Sequence, residues 1–283
     1  MNHTGSIPQN KHHRTTIVVI PARLGSTRLP AKALVDIAGK PMVCWVAERA
    51  KAARNVDHVI VATDSKKIVD AVESWGLDAR LTAETHASGT DRIAEVATAY
   101  PEAEIIVNLQ GDEPLISPDT VERAVDKMHD EMSKSDGAGI VTTWEPIEEF
   151  NDIINPDLVK VVVGDQEQAL YFSRSPVPYP RDLIKKHGSL WSAFDQEPDF
   201  LKLFRKHTGL YVYRRDVLLE FTSWSQTQLE QLEALEQLRA LEHGVLIRVI
   251  EASGSSIGID TAEDLRRVRE LIKEGKFELS GAR

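Results

Sequence analysis

The chain has 283 residues, of which 42% are hydrophobic and 28% are charged, and these values argue against wholesale disorder and against a membrane-spanning architecture. It carries 34 basic and 44 acidic residues, and the resulting net charge of −10 disfavours a broad surface for nucleic acid. Cys44 is the one cysteine, which excludes an internal disulfide and suits a reducing compartment.

The N-terminal segment is polar. Residues 1–14 lack the apolar region of a secretory signal, and no run of 18 apolar residues occurs in the chain. We therefore expect a mobile N-terminal extension over residues 1–14, a cytoplasmic location and no membrane insertion.

The first half of the chain alternates predicted strands and helices. Apolar runs predict buried strands at 15–22, 58–64 and 104–112. Helical patterns follow at 41–53, 65–76 and 117–132, the last with Ser117 as its N-cap and Pro118 in its first turn. Strands that are apolar on both faces and alternate with helices indicate an α/β fold with a mostly parallel sheet.

The second half predicts a mixed sheet. Strand candidates lie at 138–144, 158–174, 208–216 and 246–252, and the GDQEQ sequence at 164–168 resembles a hairpin turn. A Pro-rich segment lies at 175–200, and its part 181–200 has no predicted role. Leucines three residues apart predict one helix over 226–244, suited to a core or a dimer interface. We predict a single domain over 15–283 with a smaller α+β subdomain within about 130–245.

The loop after the first strand is rich in cations. In PARLGSTRLPAK it carries Arg23, Arg28 and Lys32, which could bind a triphosphate or could form an ordinary solvated loop. Neither GxGxxG nor GxxxxGK[ST] is present, so a dinucleotide-dependent oxidoreductase and a P-loop enzyme lose their main support.

Carboxylates follow two other predicted apolar strands. Asp112 and Glu113 in GDEP could hold a hard cation against phosphates, although a lone GDEP also reads as a turn. Asp260 in GIDTAEDL precedes a helix that it could cap. Cations and carboxylates at the carboxyl ends of neighbouring strands together indicate phosphoryl chemistry.

Ordered motifs give a family resemblance over residues 15–272. They are VVIPARLGSTRLPAK, IVATD, HASGTDRIAE, VNLQGDEP, NPDLVKVV, ALYFSRSPVP, HTGLYVYRRD, LEQLEALEQLR and GIDTAEDL. In this order they resemble the cytidylyltransferases that activate eight- and nine-carbon sugar acids. The resemblance implies a Rossmann-like nucleotidyltransferase sheet with a smaller mixed α+β subdomain.

The resemblance also implies an enzyme that transfers CMP from CTP to the anomeric hydroxyl of 3-deoxy-D-manno-octulosonate (Kdo). The products are CMP-Kdo and pyrophosphate, used in lipopolysaccharide synthesis, with Mg²⁺ as cofactor and a homodimer as the assembly. The alternative acceptors are 8-amino Kdo and another sugar acid such as a sialic acid. A different alternative is a CTP-binding regulator without turnover.

Nucleotide-binding roles are carried over by position from the resemblance. Arg23 and Lys32 match the catalytic cations of the nucleotide loop. The remaining positions that match nucleotide contacts are Pro21, Ala22, Arg28, Ser88, Gly89 and Gln110. For Ser88 and Gly89 a helix start is the alternative, with Ser88, Thr90 or Asp91 as the cap.

Metal and sugar roles follow in the same way. Asp112 and Asp260 match the two metal-binding and catalytic aspartates, and Asp260 could also cap its helix. The sugar contacts that the resemblance implies are Arg174 at the carboxylate, and His207, Tyr211, Glu233 and Gln237. One departure is Ala31, where the family commonly has Gly before the lysine, so the backbone there must suit alanine.

Overall fold

The computed structural model describes residues 14–25, 29–254 and 256–274. Residues 1–13 of the predicted extension, and Arg28, lie outside the described residues. The strands are β1 (Thr15–Ala22), β2 (Asp36–Ile37), β3 (Lys40–Pro41), β4 (His58–Thr63), β5 (Asp78–Leu81), β6 (Ala103–Asn108), β7 (Ile140–Pro146), β8 (Lys160–Val163), β9 (Ala169–Ser173), β10 (Arg205–Arg214) and β11 (Ile247–Glu251).

Helices separate most of these strands. They are α1 (Met42–Lys51), α2 (Lys66–Ser74), α3 (Gly89–Ala99), α4 (Pro118–Glu131), α5 (Phe150–Ile154), α6 (Arg181–His187), α7 (Leu190–Gln196), α8 (Arg215–Phe221), α9 (Gln228–Glu233), α10 (Gln237–Glu242) and α11 (Ala262–Lys273). Two 3-10 segments add Lys32–Leu34 and Pro198–Leu203. None of the described helices combines the length and the apolar character that a membrane span requires.

Nine of the strands within the described ranges form one sheet. Its main path is β11-β7-β10-β6-β1-β4-β5, and β8 and β9 branch from β10. Strands β6, β1, β4 and β5 are parallel, whereas β10 is antiparallel to both β6 and β7. The predicted α/β class with a mostly parallel sheet is therefore confirmed, and the second half is mixed as expected.

The sheet is covered on both faces, which explains its doubly apolar strands. Alternate β1 residues face opposite sides: Val18 and Ile20 pack with α1, α2 and α4, while Ile17 and Val19 pack with α3, α8 and α10. All four side chains are fully buried. Cys44 lies in the first layer, where burial raises the pKa of its thiol to about 11.

The prediction of one continuous helix over 226–244 is wrong, because the segment is divided into α9 and α10. Ala234 takes a left-handed conformation with φ of 51°, and the Leu235 N–H donates to the Glu230 carbonyl. The carbonyls of Glu233 and Ala234, which a continuous helix would use internally, accept hydrogen bonds from the Arg174 guanidinium. Tertiary contacts thus override the high helical propensity of LEQLEALEQLR.

The predicted hairpin and the Pro-rich segment both take defined structure. Strands β8 and β9 pair antiparallel around 164–168, as the turn signal indicated. The segment 181–203 forms α6, α7 and a 3-10 segment, packed through Phe194 and Phe200 against Phe150 and Ile153 of α5. The division at about 130–245 stays a prediction.

Candidate functional site

A cavity of about 410 Å³ opens at the carboxyl ends of β1 and β6. Parallel strands place their following loops at this edge, where ligands of such folds bind. The residues that line it are Pro21, Ala22, Arg23, Gly25, Lys32, Ala33, Met42, Gln110, Gly111, Asp112 and Asp260. It therefore brings together most of the residues predicted for nucleotide and metal.

Lys32 joins the two predicted metal-binding aspartates. Its Nζ donates to Oδ2 of Asp112 at 2.6 Å and to Oδ1 of Asp260 at 2.6 Å. Burial alone would lower the pKa of Lys32, but the two carboxylates outweigh it and raise the pKa above its ordinary value. Lys32 is therefore a cation at neutral pH.

The backbone before Lys32 has an unusual conformation. Ala31 has φ of 51° and ψ of 36°, in the left-handed region where glycine has no steric penalty. Its carbonyl accepts from the Leu34 N–H at 2.8 Å, which begins the 3-10 segment carrying Lys32. Alanine thus adopts the conformation that the family's glycine would favour, and Lys32 still reaches both aspartates.

The loop with Asp112 is held tightly against β1. A Cβ on Gly111 would lie 3.1 Å from the carbonyl oxygen of Pro21, so a larger side chain would push the two loops apart. The Asp112 carbonyl accepts from the Ile259 N–H at 2.9 Å. These contacts fix the carboxylates of Asp112 and Asp260 on the same side of the cavity.

The predicted capping role of Asp260 is wrong, because Thr261 is the N-cap of α11. The Thr261 hydroxyl accepts from the Asp264 N–H, and the Asp264 carboxylate accepts from the N–H groups of Thr261 and Asp260. A threonine followed by an acid three residues later is a capping box. This arrangement leaves the Asp260 carboxylate to face Lys32.

Behind Asp112 lies a polar cluster that joins the sequence candidate Glu113 to three residues that sequence reasoning missed. Buried Glu145 accepts from Lys206 at 2.8 Å and from the Ser256 N–H at 2.8 Å, and the Ser256 hydroxyl donates to Glu113 at 3.2 Å. Burial, followed by the charges of Asp112 and Glu145, raises the pKa of Glu113 to about 7. Through Ser256 the cluster anchors the loop that carries Asp260.

Ser88 and Gly89 begin α3, so the interpretation of these residues as a helix start is confirmed. Ser88 is the N-cap and shares a capping box with Asp91. A Cβ on Gly89 would lie 3.4 Å from the Pro21 side chain, so this helix start contacts a residue of the cavity wall. The predicted nucleotide contact of Ser88 and Gly89 is compatible with that position and stays a prediction.

His207 and Tyr211 lie together on β10, with ring centroids 5.3 Å apart. Tyr211 is opposite Asn108 at the end of β6, and Gly209 abuts Gln110: a Cβ there would be 2.9 Å from the Gln110 Cγ. The part of β10 that carries both rings therefore runs past Gln110 of the cavity wall. Burial lowers the pKa of His207 to about 3, so its imidazole is neutral.

The proton of His207 can be assigned from Thr142. The Thr142 hydroxyl donates its one proton to the Leu210 carbonyl at 2.7 Å and lies 2.9 Å from Nε2 of His207. Towards the imidazole it can only accept, so Nε2 carries the proton and Nδ1 has the lone pair. His207 can accept a hydrogen bond from a ligand hydroxyl at Nδ1.

Arg174 and Glu233 bind chiefly to their own protein. Arg174 donates from Nε, Nη1 and Nη2 to the carbonyls of Glu233, Pro156 and Ala234. Glu233 accepts from the Ser173 hydroxyl at 2.6 Å and from the Arg174 N–H at 3.0 Å. Their predicted contacts with a sugar acid stay predictions, while the observed bonds brace the break between α9 and α10.

Glu236 is a site candidate that sequence reasoning missed. It is partly exposed, accepts from the Thr90 hydroxyl at 2.6 Å, and its charge adds to the burial that raises the pKa of Tyr211. Gln237, predicted as a sugar contact, is buried in the first turn of α10. Nothing in the helical pattern distinguished Glu236, because the break at Ala234 reorients it.

Two carboxylates at the cavity, those of Asp112 and Asp260, are ligands of the kind that Mg²⁺ binds. Mg²⁺ commonly binds through one or two carboxylates together with substrate phosphates, and oxygens of Asp112 and Asp260 both converge on the Lys32 Nζ. Over 14–25, 29–254 and 256–274, no group of three or more His, Cys, Asp or Glu side chains is placed to hold a metal ion.

Solved structures share this architecture. CMP:2-keto-3-deoxy-manno-octonic acid synthetase complexed with CTP is 41% identical, covers 92% of this chain and 99% of its own, and superposes with a TM-score of 0.80. The 4-diphosphocytidyl-2C-methyl-D-erythritol synthase of Anaerococcus prevotii, 13% identical over 92% of this chain and 97% of its own, has a TM-score of 0.58 and shares the fold.

Curated relatives agree over nearly the whole length. The 3-deoxy-manno-octulosonate cytidylyltransferase of Geobacter sulfurreducens is 48% identical over 90% of this chain and 98% of its own. That of Pseudomonas fluorescens is 46% identical over 90% and 97%. A model of the family described as cytidylyltransferase matches residues 17–249. The chain therefore belongs to the cytidylyltransferase family, among the 3-deoxy-manno-octulosonate cytidylyltransferases.

Proposed function

We propose that the chain transfers CMP from CTP to the anomeric hydroxyl of Kdo, releasing pyrophosphate, and that CMP-Kdo serves lipopolysaccharide synthesis. The observation that carries this function is the cluster of Lys32, Asp112 and Asp260 in a cavity whose wall residue Gln110 abuts β10 at Gly209, between His207 and Tyr211. The names of the close relatives support Kdo as the acceptor.

The cavity supplies cations for the triphosphate. Lys32 keeps its proton at neutral pH, and Arg23 is exposed at the cavity wall. Positive charge placed beforehand beside the phosphates stabilises the charge that develops as pyrophosphate leaves. Pro21, Ala22 and Gln110 shape the wall on which the rest of the nucleotide would lie, and Arg28 stays a predicted contact.

Asp112 and Asp260 would hold Mg²⁺. When bound, Mg²⁺ supplies charge stabilisation at the phosphates and lowers the pKa of a coordinated hydroxyl. Lys32 offers its ammonium to both carboxylates, so their negative charges are compensated and the loops stay together. The carboxylates are 35% and 49% exposed and can therefore exchange partners.

His207 would orient the sugar acid. Its Nδ1 accepts a hydrogen bond from a sugar hydroxyl while Nε2 stays bonded to Thr142. A neutral imidazole suits this orienting role better than that of a general acid.

The reaction itself is a displacement at the α-phosphorus of CTP. The anomeric oxygen forms a bond to the α-phosphorus, and the bond from that phosphorus to the bridging oxygen breaks, with its electron pair going to pyrophosphate. The hydroxyl proton passes to solvent.

Pyrophosphate release tests the function. The purified chain is incubated with CTP and Mg²⁺ and with Kdo, 8-amino Kdo or a sialic acid, and ATP, GTP and UTP replace CTP as controls. Release with CTP and Kdo is the expected result. Release with another acid alone would change the acceptor, and CTP binding without release would indicate the regulator.

We further propose a homodimer, which the resemblance implies, and a cytoplasmic location. Light scattering during size-exclusion chromatography should give about twice the chain mass of 31.6 kDa. A mass equal to one chain would contradict the dimer, and recovery of the protein with membranes after cell fractionation would contradict the location.

A further inference from the structure

A hydrogen bond joins the first turn of α3 to the segment between α9 and α10. The Thr90 hydroxyl donates to the Glu236 carboxylate at 2.6 Å, across 146 residues of sequence. Thr90 is 4% exposed, so water competes weakly for this bond. A charged acceptor strengthens a hydrogen bond relative to a neutral one.

On one side, Thr90 is tied to the nucleotide cavity. Ser88 and Asp91 flank it and exchange reciprocal capping hydrogen bonds, which fix the backbone on which Thr90 sits. Gly89, the residue before it, abuts Pro21 in the cavity wall. A ligand that shifts this helix start therefore shifts Thr90.

On the other side, Glu236 lies in the segment 230–239, which other contacts hold in place beside Tyr211. A buried ion pair holds Arg239 to Glu230 through contacts of 2.8 and 2.6 Å, and the Arg174 guanidinium holds the carbonyls of Glu233 and Ala234. The ion pair and the Arg174 hydrogen bonds fix the backbone on both sides of Glu236.

We propose that the Thr90–Glu236 hydrogen bond couples the two halves of the site, so that a cytidine nucleotide and a sugar acid each tighten the binding of the other. Thr90 is then a positioning residue, because it acts through Glu236 and the helix start. The inference rests on the proposed function for the identity of the two ligands. Coupling is reciprocal, so either ligand reports it.

Calorimetry with the α,β-methylene analogue of CTP measures the coupling without turnover, since its P–C–P link cannot be cleaved. The ratio of its Kd without and with saturating Kdo is the coupling factor, and couplings of this kind are about 5-fold to 150-fold. Thr90→Val, which removes the hydroxyl, should bring the factor to about 1, whereas Thr90→Ser should retain it. Thr98→Val removes another hydroxyl of α3, bonded to the Ala94 carbonyl, and should keep the wild-type factor.

A second readout needs no sugar acid. Binding of the analogue alone should slow amide hydrogen exchange across 234–239 in the wild type and in Thr90→Ser, but not in Thr90→Val. Equal coupling factors and equal exchange in Thr90→Val and wild type would overturn the inference while leaving the proposed function intact. Absence of pyrophosphate release by the wild type would instead contradict the proposed function, and the exchange experiment would still decide the coupling for the nucleotide side.

Discussion

Acidification should destabilise the protein through His207. Burial holds the pKa of this imidazole at about 3, against 6.5 for an ordinary histidine. Below pH 6.5 His207 becomes protonated in the unfolded chain but stays neutral in the folded protein, so stability is lost as the pH falls from 6.5 towards 3. Between pH 8 and pH 5 this difference should lower the free energy of unfolding by about 2 kcal/mol.

Urea unfolding at pH 8 and pH 5 measures this contribution. His207→Gln keeps a hydrogen-bond donor for Thr142 and removes the titrating ring. Between pH 8 and pH 5 its free energy of unfolding should therefore fall by about 2 kcal/mol less than that of the wild type. His58→Gln, at an exposed position, should follow the wild type. Identical pH dependence of His207→Gln and wild type would refute the neutral, buried imidazole and the proton assignment built on it.

Three further outcomes are expected. Ala31→Gly should stabilise the protein by up to about 1 kcal/mol in urea unfolding, because relief of the left-handed strain exceeds the added chain entropy, whereas Ala33→Gly should destabilise it. Asp112→Asn should retain the native circular dichroism spectrum and lower turnover by a factor on the order of 100 or more, and near-normal activity with Mg²⁺ would remove Asp112 from the metal role. Arg239→Met should cost about 3–5 kcal/mol because it leaves Glu230 buried without its partner, and adding Glu230→Gln should recover much of that loss; no recovery would show that the pair does not carry the cost.

Much of the fold follows from patterns within single segments. The β1, β4 and β6 strands are continuous apolar runs, the helices after them carry apolar patterns of period 3.6, and Ser117–Pro118 marks the start of α4 correctly. The break at Ala234 has no such signal. It depends on the Arg174 side chain, 60 residues earlier in the chain, and local propensity contains no information about that partner.

The proposed nucleotide side of the site is more predictable from sequence than the proposed acceptor side. Lys32, Asp112 and Asp260 lie in the connections after β1, β6 and β11, and the shared direction of these strands brings such connections to one edge of the sheet. On the acceptor side, side chains from β9, β10 and α10 meet through long-range contacts. The family resemblance favours Glu233, whose carboxylate accepts from the Ser173 hydroxyl, and neither the resemblance nor the helical pattern gives a reason to choose Glu236.

The reversed direction of β10 separates the choice of donor from the choice of acceptor. Because β10 runs antiparallel to β6, its amino-terminal half reaches the edge at which β1 and β6 end. The ring and hydrogen-bond contacts of His207 are to Thr142, Phe172 and Tyr211, outside the loops that carry Lys32 and Asp112, whereas Lys206 in the same half bonds to Glu145 behind Asp112. A change at His207 can therefore alter the choice of acceptor alone, but a substitution at Lys206, or at Gly209 against Gln110, would disturb the sites for donor and acceptor together.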